Sequence, residues 1–200
     1  MDRTTRALRM TKKTSEIEPW EQCPDIWKTE AAYFNWIRGA MRKAWCRHPV
    51  KISYMHLHRF KAPLGKPTFK YPEGKMIWAT HCETCKKLFK EGATEVDHKE
   101  RAGGCKSWDE FNVWIKSLLH INHASLAIIC KPCHRIKSYS EQHDISFEEA
   151  KLRKKVIAFM KQTASQQVAW FERHKYQPSL YANATKRKAL YTTYLRERTT

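Results

Sequence analysis

Two pairs of cysteines have the spacing of metal ligands. They are Cys82 and Cys85 in "CETC" and Cys130 and Cys133 in "CKPC". Each CxxC pair can form a tight turn that supplies two thiolates, and four thiolates complete the tetrahedral coordination of a structural zinc site. We therefore predict one zinc ion bound by these four residues. Disulfides are a poor interpretation in a reducing compartment. The other three cysteines are expected to be packing or surface thiols: Cys23, Cys46 and Cys105.

A histidine, His134, directly follows the second cysteine pair in "ICKPCHRIK". Because four thiolates already satisfy a tetrahedral zinc ion, this imidazole is surplus to the site and is available for a second metal. The alternative is that His134 competes with Cys133 for the zinc ion itself.

An acid and an imidazole stand side by side between the two cysteine pairs, in "TEVDHKERAGG". Apolar and polar residues alternate up to Val96, so Asp97 and His98 are expected at the end of a β-strand. Neighbouring strand residues point to opposite faces. One of the two could therefore ligate a cation while the other acts beside it as a base.

The order CxxC, VDH and CxxCH-x-x-K, from Cys82 to Lys137, resembles the HNH endonuclease family. In particular, it resembles phage-type HNH proteins with four zinc-binding cysteines. The intervening segment "SWDEF" also looks like that subgroup, and the upstream "FNWIRGAMRKAW" is similar to a helix that often precedes the module.

The resemblance implies an α+β fold with a ββα-metal core, also called the HNH or His-Me finger. A hairpin would carry the acid and the base at the end of its first strand, against a helix bearing His134. Asp97 and His134 would bind one divalent cation, Mg2+ or Mn2+, with Ni2+ or Zn2+ as tighter-binding alternatives in vitro. His98 would be the general base that deprotonates a water molecule.

One position departs from the family pattern. The family's asparagine usually stands five residues before the third cysteine, where its side chain braces the loop that orients the base. This chain has Ser125 there, and Asn122 lies three residues earlier, from where a local shift could bring it in. The metal ligands are unaffected, but the efficiency of catalysis depends on this position.

The formal net charge of +18, from 38 Lys and Arg against 20 Asp and Glu, indicates a polyanionic partner. DNA is the first candidate and an anionic membrane surface is the alternative. We find no apolar run long enough to span a bilayer and no apolar secretion signal, so we expect a cytoplasmic protein, in the host cell if it is phage-encoded. The residues predicted to contact phosphates are Arg38, Arg42, Lys43 and Lys137, although Lys137 could equally be only solvated.

The elements that must position these groups follow from periodicity and capping signals. Thr29 to Arg47 should form an amphipathic helix. Ser107 and Glu110 have the spacing of a capping box, which predicts that a second helix begins there. Ser146 and Glu149 repeat that spacing before a helical region that could extend as far as His174. We divide the chain into a basic arm (1–28), a basic helical extension (29–69), a zinc-containing HNH module (70–140) and a helical basic extension (141–200).

These observations predict a metal-dependent HNH endonuclease that hydrolyses DNA phosphodiester bonds, by nicking or by double-strand cleavage. Phage DNA-processing or packaging proteins are candidate partners. The rival hypothesis is a non-catalytic zinc-module protein, such as a DNA-packaging or recombination accessory factor in which Ser125 marks a decayed site. An RNA-binding zinc protein is the third.

Overall fold

The computed structural model describes residues 17–198; the greater part of the predicted basic arm lies outside this range. Helices dominate, accompanied by two small β-sheets. None of the helices within the described range is both long and apolar enough to cross a membrane. The helices are α1 (Pro19–Gln22), α2 (Glu30–Cys46), α3 (Pro49–His58), α4 (Trp108–Leu119), α5 (Lys131–His143), α6 (Phe147–Met160), α7 (Ala164–Arg173) and α8 (Ala184–Glu197).

Five strands form the two sheets: β1 (Phe60–Pro63), β2 (Met76–His81), β3 (Leu88–Lys90), β4 (Thr94–His98) and β5 (Leu126–Cys130). The first sheet has the order β1-β2-β3, and the second pairs β4 with β5. Strands β1 and β2 are antiparallel, with Lys61 opposite Trp78. Short 3-10 turns cover Glu91–Ala93, His123–Ser125 and Pro178–Leu180.

The chain divides into two compact units that are each discontinuous in sequence. Within the described range, the first comprises residues 17–80 and 96–128, and the second comprises residues 81–95 and 129–198. The boundaries therefore fall inside β2, β4 and β5. The segments predicted from sequence are contiguous, and the 70–140 module in particular contributes residues to both units.

The first unit has two apolar clusters. One contains Phe34 and Ile37 of α2 with Trp114 and Leu118 of α4, and the other contains Tyr54, Val96, Leu126 and Ile128. The amphipathic helix predicted from Thr29 to Arg47 is thus confirmed as α2. Helix α2, which belongs to the predicted 29–69 extension, packs in the same cluster as α4.

The second unit also has two clusters. A small one consists of Cys82, Cys130, Cys133 and Ile129, with Cys85, Phe89 and Phe147 against it. A larger aromatic one centres on Phe159, Phe171 and Tyr181. The first is mostly sulfur, so it offers little of the aliphatic and aromatic surface that stabilises an ordinary core.

One local prediction was wrong and another was confirmed only in part. Ser107 precedes α4 but its side chain accepts no capping hydrogen bond, and Glu110 Oε2 instead accepts one from the backbone N–H of Lys106 at 2.7 Å. The helical region after Ser146 does not run unbroken to His174. It stops at Met160 and restarts at Ala164, because Thr163 caps α7 through a reciprocal hydrogen-bond pair with Gln166.

Candidate metal centre and active site

The four predicted zinc ligands come together in the second unit. The Sγ atoms of Cys82, Cys85, Cys130 and Cys133 all lie within 4.8 Å of one another. The Cys85 and Cys130 sulfurs are 3.9 Å apart. Four sulfurs at about 2.3 Å from a tetrahedral zinc ion would be separated by about 3.8 Å, so the donor set and its spacing fit zinc.

Each cysteine pair is held by a different turn. After Cys85, Lys86 adopts a left-handed conformation with φ 60°. The Lys86 N–H donates to the Cys82 carbonyl at 2.8 Å, and the Cys82 N–H donates to the Lys87 carbonyl at 3.0 Å. The second pair opens α5, where Cys130 is the N-cap and Pro132 occupies the first turn. The positive end of the helix dipole favours thiolates at this position.

The thiol pKa values differ within the cluster. Burial alone would raise the pKa of Cys82, but hydrogen bonds from the backbone N–H groups of Cys85, Cys130 and Thr84 lower it to about 7. Burial raises the pKa of Cys130 and of Cys133 above the ordinary range. Thiolates this close together repel one another, so a cation is needed to hold all four in the ionised form.

His134 lies on the first turn of α5, and a carboxylate from β4 orients its ring. Its Nδ1 is 2.6 Å from Glu95 Oε2, and both side chains belong to the second unit. A carboxylate that accepts from one ring nitrogen fixes the tautomer and directs the other nitrogen, Nε2, toward a ligand. Glu95 was not among the predicted site residues, although its position two residues before Asp97 places both acids on one face of the strand.

Strand β4 ends at His98, as predicted, and its burial alternates along the strand. Thr94, Val96 and His98 are buried, whereas Glu95 and Asp97 are half-buried on the opposite face. The prediction that Asp97 and His98 lie on opposite faces of the strand is therefore confirmed.

His98 belongs to the first unit, and its ring is fixed on two sides. Its Nε2 is 3.0 Å from the Leu118 carbonyl at the end of α4, and its ring lies 4.1 Å from the Trp45 ring at an angle of 31°. A carbonyl only accepts, so Nε2 carries the proton and Nδ1 carries the basic lone pair. The contacts of His98 with Trp45 and with the Leu118 carbonyl were not predicted from the sequence, because each joins residues that are far apart in the chain.

A cavity of about 430 Å³ in the first unit reaches His98. Its wall includes two cationic side chains, Lys99 and Arg101, and a second imidazole, His120. The positive charge suits an anionic substrate beside the buried imidazole. The remaining lining residues are Glu100, Ser117, Ile121, Asn122, Ala124 and Ser125.

Ser125 and Asn122 brace the loop next to His98 together. Asn122 Oδ1 accepts from the Ser125 N–H at 3.2 Å, and the Ser125 hydroxyl accepts from the Asn122 N–H at the same distance. The Ser125 carbonyl then accepts from the backbone N–H of Lys99 at 2.8 Å, and Lys99 Nζ donates to the Ala124 carbonyl at 2.9 Å. The chain segment directly after His98 is thus tied to this reciprocal cap.

The predicted catalytic residues are distributed over both units. Asp97, His98 and Ser125 belong to the first unit and His134 belongs to the second. Among the residues that the structure describes, the four cysteines form the one cluster of three or more side chains that could bind a metal ion.

The predicted phosphate-binding residues have different surroundings. Arg42 and Lys43 are exposed on α2. Arg38 is half-buried, and its guanidinium donates to the Cys105 carbonyl, so it also fixes the segment before α4. Lys137 pairs with Glu141 at 3.5 Å, one turn along α5.

Comparison with known proteins gives no relative: no family model, no curated protein and no solved structure matches this chain.

Proposed function

We propose that the protein is a metal-dependent endonuclease of the HNH type that hydrolyses DNA phosphodiester bonds. The observation that carries the proposal is the setting of His98. A buried imidazole with its proton held on Nε2 by a backbone carbonyl borders a cavity whose wall has two cationic side chains, Lys99 and Arg101, and one acid, Glu100. This is what a general base acting on an anionic substrate requires.

The chemistry assigned to His98 is removal of a proton from water. Nδ1 accepts the proton as the water oxygen attacks phosphorus, the bond from phosphorus to the 3′ oxygen breaks, and that oxygen takes a proton from solvent. The products are a 3′-hydroxyl and a 5′-phosphate. The Leu118 carbonyl stabilises the imidazolium that forms, because it accepts a hydrogen bond from the opposite side of the ring.

Asp97 and His134 are the ligands proposed for the catalytic cation. A half-buried carboxylate and an imidazole oriented by Glu95 are donors that suit Mg2+ or Mn2+. When bound, such a cation would polarise the scissile phosphate and stabilise the leaving oxygen. The zinc ion proposed for the four cysteines has a purely structural role.

Binding to DNA is assigned to the basic surface. The net charge of +18 and the exposed pair Arg42 and Lys43 favour contacts with the phosphate backbone. Phage DNA-processing or packaging proteins remain the proposed partners, and the cytoplasm remains the proposed location.

The test is cleavage of supercoiled plasmid in Mg2+ or Mn2+. His98→Gln keeps an amide that can donate to the Leu118 carbonyl but removes the base, so the cleavage rate should fall by about 10²- to 10⁴-fold. Asp97→Ala should also lose activity, and part of that loss should be recovered at raised metal concentration. No concentration of metal should rescue His98→Gln.

His58 provides a closely matched control. Its Nδ1 is 2.8 Å from the Tyr54 carbonyl and its ring lies 4.1 Å from the Tyr54 ring at 32°, but it does not line the cavity. His58→Gln should leave the cleavage rate unchanged. If wild-type protein binds DNA and zinc but cuts nothing in Mg2+, Mn2+ or Ni2+, and Ser125→Asn does not activate it, the protein is a binding module and the nuclease proposal is wrong.

A further inference from the structure

Residues 59–80 of the first unit carry a second basic and aromatic surface on the β1–β2 hairpin. This segment contains five Lys or Arg residues and a single acid, Glu73. On the outer face of the hairpin, Lys61 stands directly opposite Trp78. The ammonium of Lys61 and the guanidinium of Arg59 each lie 4.4 Å from the Trp78 ring centre. An aromatic ring on a sheet is therefore flanked by two cations.

The connection between β1 and β2 extends this surface. Thr68 and Tyr71 form an isolated antiparallel bridge, with two backbone hydrogen bonds of 3.0 Å, and this tight turn holds Phe69 and Lys70 at its tip. Phe69 is fully exposed, and Trp78 and Tyr71 are each about 40% exposed. Large aromatic side chains are costly to leave in water, so three on one basic hairpin indicate a binding surface.

We propose that this hairpin, the aromatic hairpin (residues 59–80), binds a single-stranded segment of nucleic acid. The aromatic rings would stack on unpaired bases and the flanking cations would contact the phosphates between them. Bases within a duplex stack on one another and cannot offer their faces to a side chain. A surface that combines exposed rings with cations therefore fits unpaired nucleotides better than a duplex.

The contacts already present on Trp78 do not prevent stacking. An exposed cation–π contact is worth a factor of about two to five in an equilibrium constant. Stacking of a base on an aromatic side chain is worth about 5-fold to 150-fold. A base can therefore displace one flexible cation from the ring, and that cation is then well placed to pair with the adjoining phosphate.

The proposal is independent of the nuclease activity, because it concerns binding and can be tested in a background that does not cleave. The full-length zinc-loaded protein carrying His98→Gln is titrated into four fluorescein-labelled probes, and binding is followed by anisotropy. The probes are a 20-mer of thymidine, a 20-mer of uridine, an abasic deoxyribose-phosphate 20-mer and a 20-base-pair duplex. The abasic strand has the same number of phosphates as the thymidine strand but no bases.

The thymidine or uridine strand should bind about 5-fold to 150-fold more tightly than the abasic strand. Whichever of the two binds more tightly identifies DNA or RNA as the preferred source of the unpaired segment. Trp78→Ala should remove most of this preference while leaving affinity for the abasic strand within about twofold, since no charge changes. Phe69→Ala should also reduce the preference for bases. Because the Phe69 side chain is fully exposed, its removal should not disturb folding, so a loss of preference cannot be attributed to unfolding.

Two controls separate the hairpin from general effects. Trp36 is a 57% exposed tryptophan on α2, and Trp36→Ala should keep the preference for bases. Lys61→Gln should weaken binding to the strands more than Lys155→Gln, which removes the same charge from an exposed position on α6. Equal affinity for the thymidine, uridine and abasic strands would overturn the proposal. So would a loss of affinity for the duplex, in Trp78→Ala and Phe69→Ala, as large as the loss for the thymidine and uridine strands.

Discussion

In the first unit the candidate base is held by large apolar side chains, whereas in the second unit the candidate metal ligands are themselves most of the local core. His98 lies between Trp45 and the end of α4, whose Trp114 and Leu118 are buried in an aromatic and aliphatic cluster. Around the cysteines the buried set is three sulfurs and Ile129. The first site is preorganised by packing, and the second depends on a bond that only a metal can supply.

The largest effect should come from breaking the sulfur cluster. Cys82→Ser should abolish zinc binding and unfold the surroundings of the cysteines, because a structural zinc ion contributes about 10–16 kcal/mol of apparent binding free energy. Zinc content by atomic emission and resistance to limited proteolysis measure the two effects. Cys46→Ser, at an exposed thiol, is the control and should change neither. A zinc-free protein that resists proteolysis as well as the wild type would contradict this prediction.

A core substitution in the first unit should have the next largest effect. Trp114 is 3% exposed, and Trp114→Ala should lower the free energy of unfolding by about 3–5 kcal/mol through lost burial and the resulting cavity. Within the described part of the chain its Nε1 has no hydrogen-bond partner.

Trp114→Phe removes that unpaired donor and leaves a smaller cavity because an aromatic ring is kept, so it should cost less than Trp114→Ala. Chemical denaturation of the two variants measures the difference. Equal losses in the two variants would contradict this prediction, and both variants should retain full zinc content.

The smallest effect should come from the cap next to His98. Asn122→Ala removes the hydrogen bond to the Ser125 N–H and should cost about 1 kcal/mol. Asn183 caps α8 in the second unit by the same kind of bond, to the Lys186 N–H at 2.9 Å, and Asn183→Ala should cost a similar amount. Only Asn122→Ala should also slow plasmid cleavage. Equal cleavage rates for the two variants would show that this loop has no part in positioning His98.

The features predicted correctly from sequence are those with local signals. CxxC spacing specifies a two-ligand turn, and alternation in "TEVDH" specifies the faces of β4, so the cysteine cluster and the separation of Asp97 from His98 could be read from short segments. The location of α2 and its amphipathic character were equally accessible.

The features that were missed depend on contacts between distant segments. Nothing near His98 in sequence indicates that Trp45 stacks on it or that the Leu118 carbonyl orients it. Glu95 was overlooked because its partner, His134, lies on another element. The capping box at Ser107 was predicted from spacing alone, but Glu110 bonds to Lys106 instead. A spacing rule identifies candidate partners and cannot decide between competing neighbours.

The alternation of β4 also restricts how related chains could differ in length. Because strand side chains repeat every two residues, inserting or deleting one residue between Thr94 and Asp97 would exchange the faces of the acid and the imidazole. Residues 99–106 are not part of a β-strand, so their side chains do not alternate between two faces, and a change in length there does not exchange faces. Insertions and deletions among homologues should therefore be found between Arg101 and Cys105, while the length of β4 stays fixed.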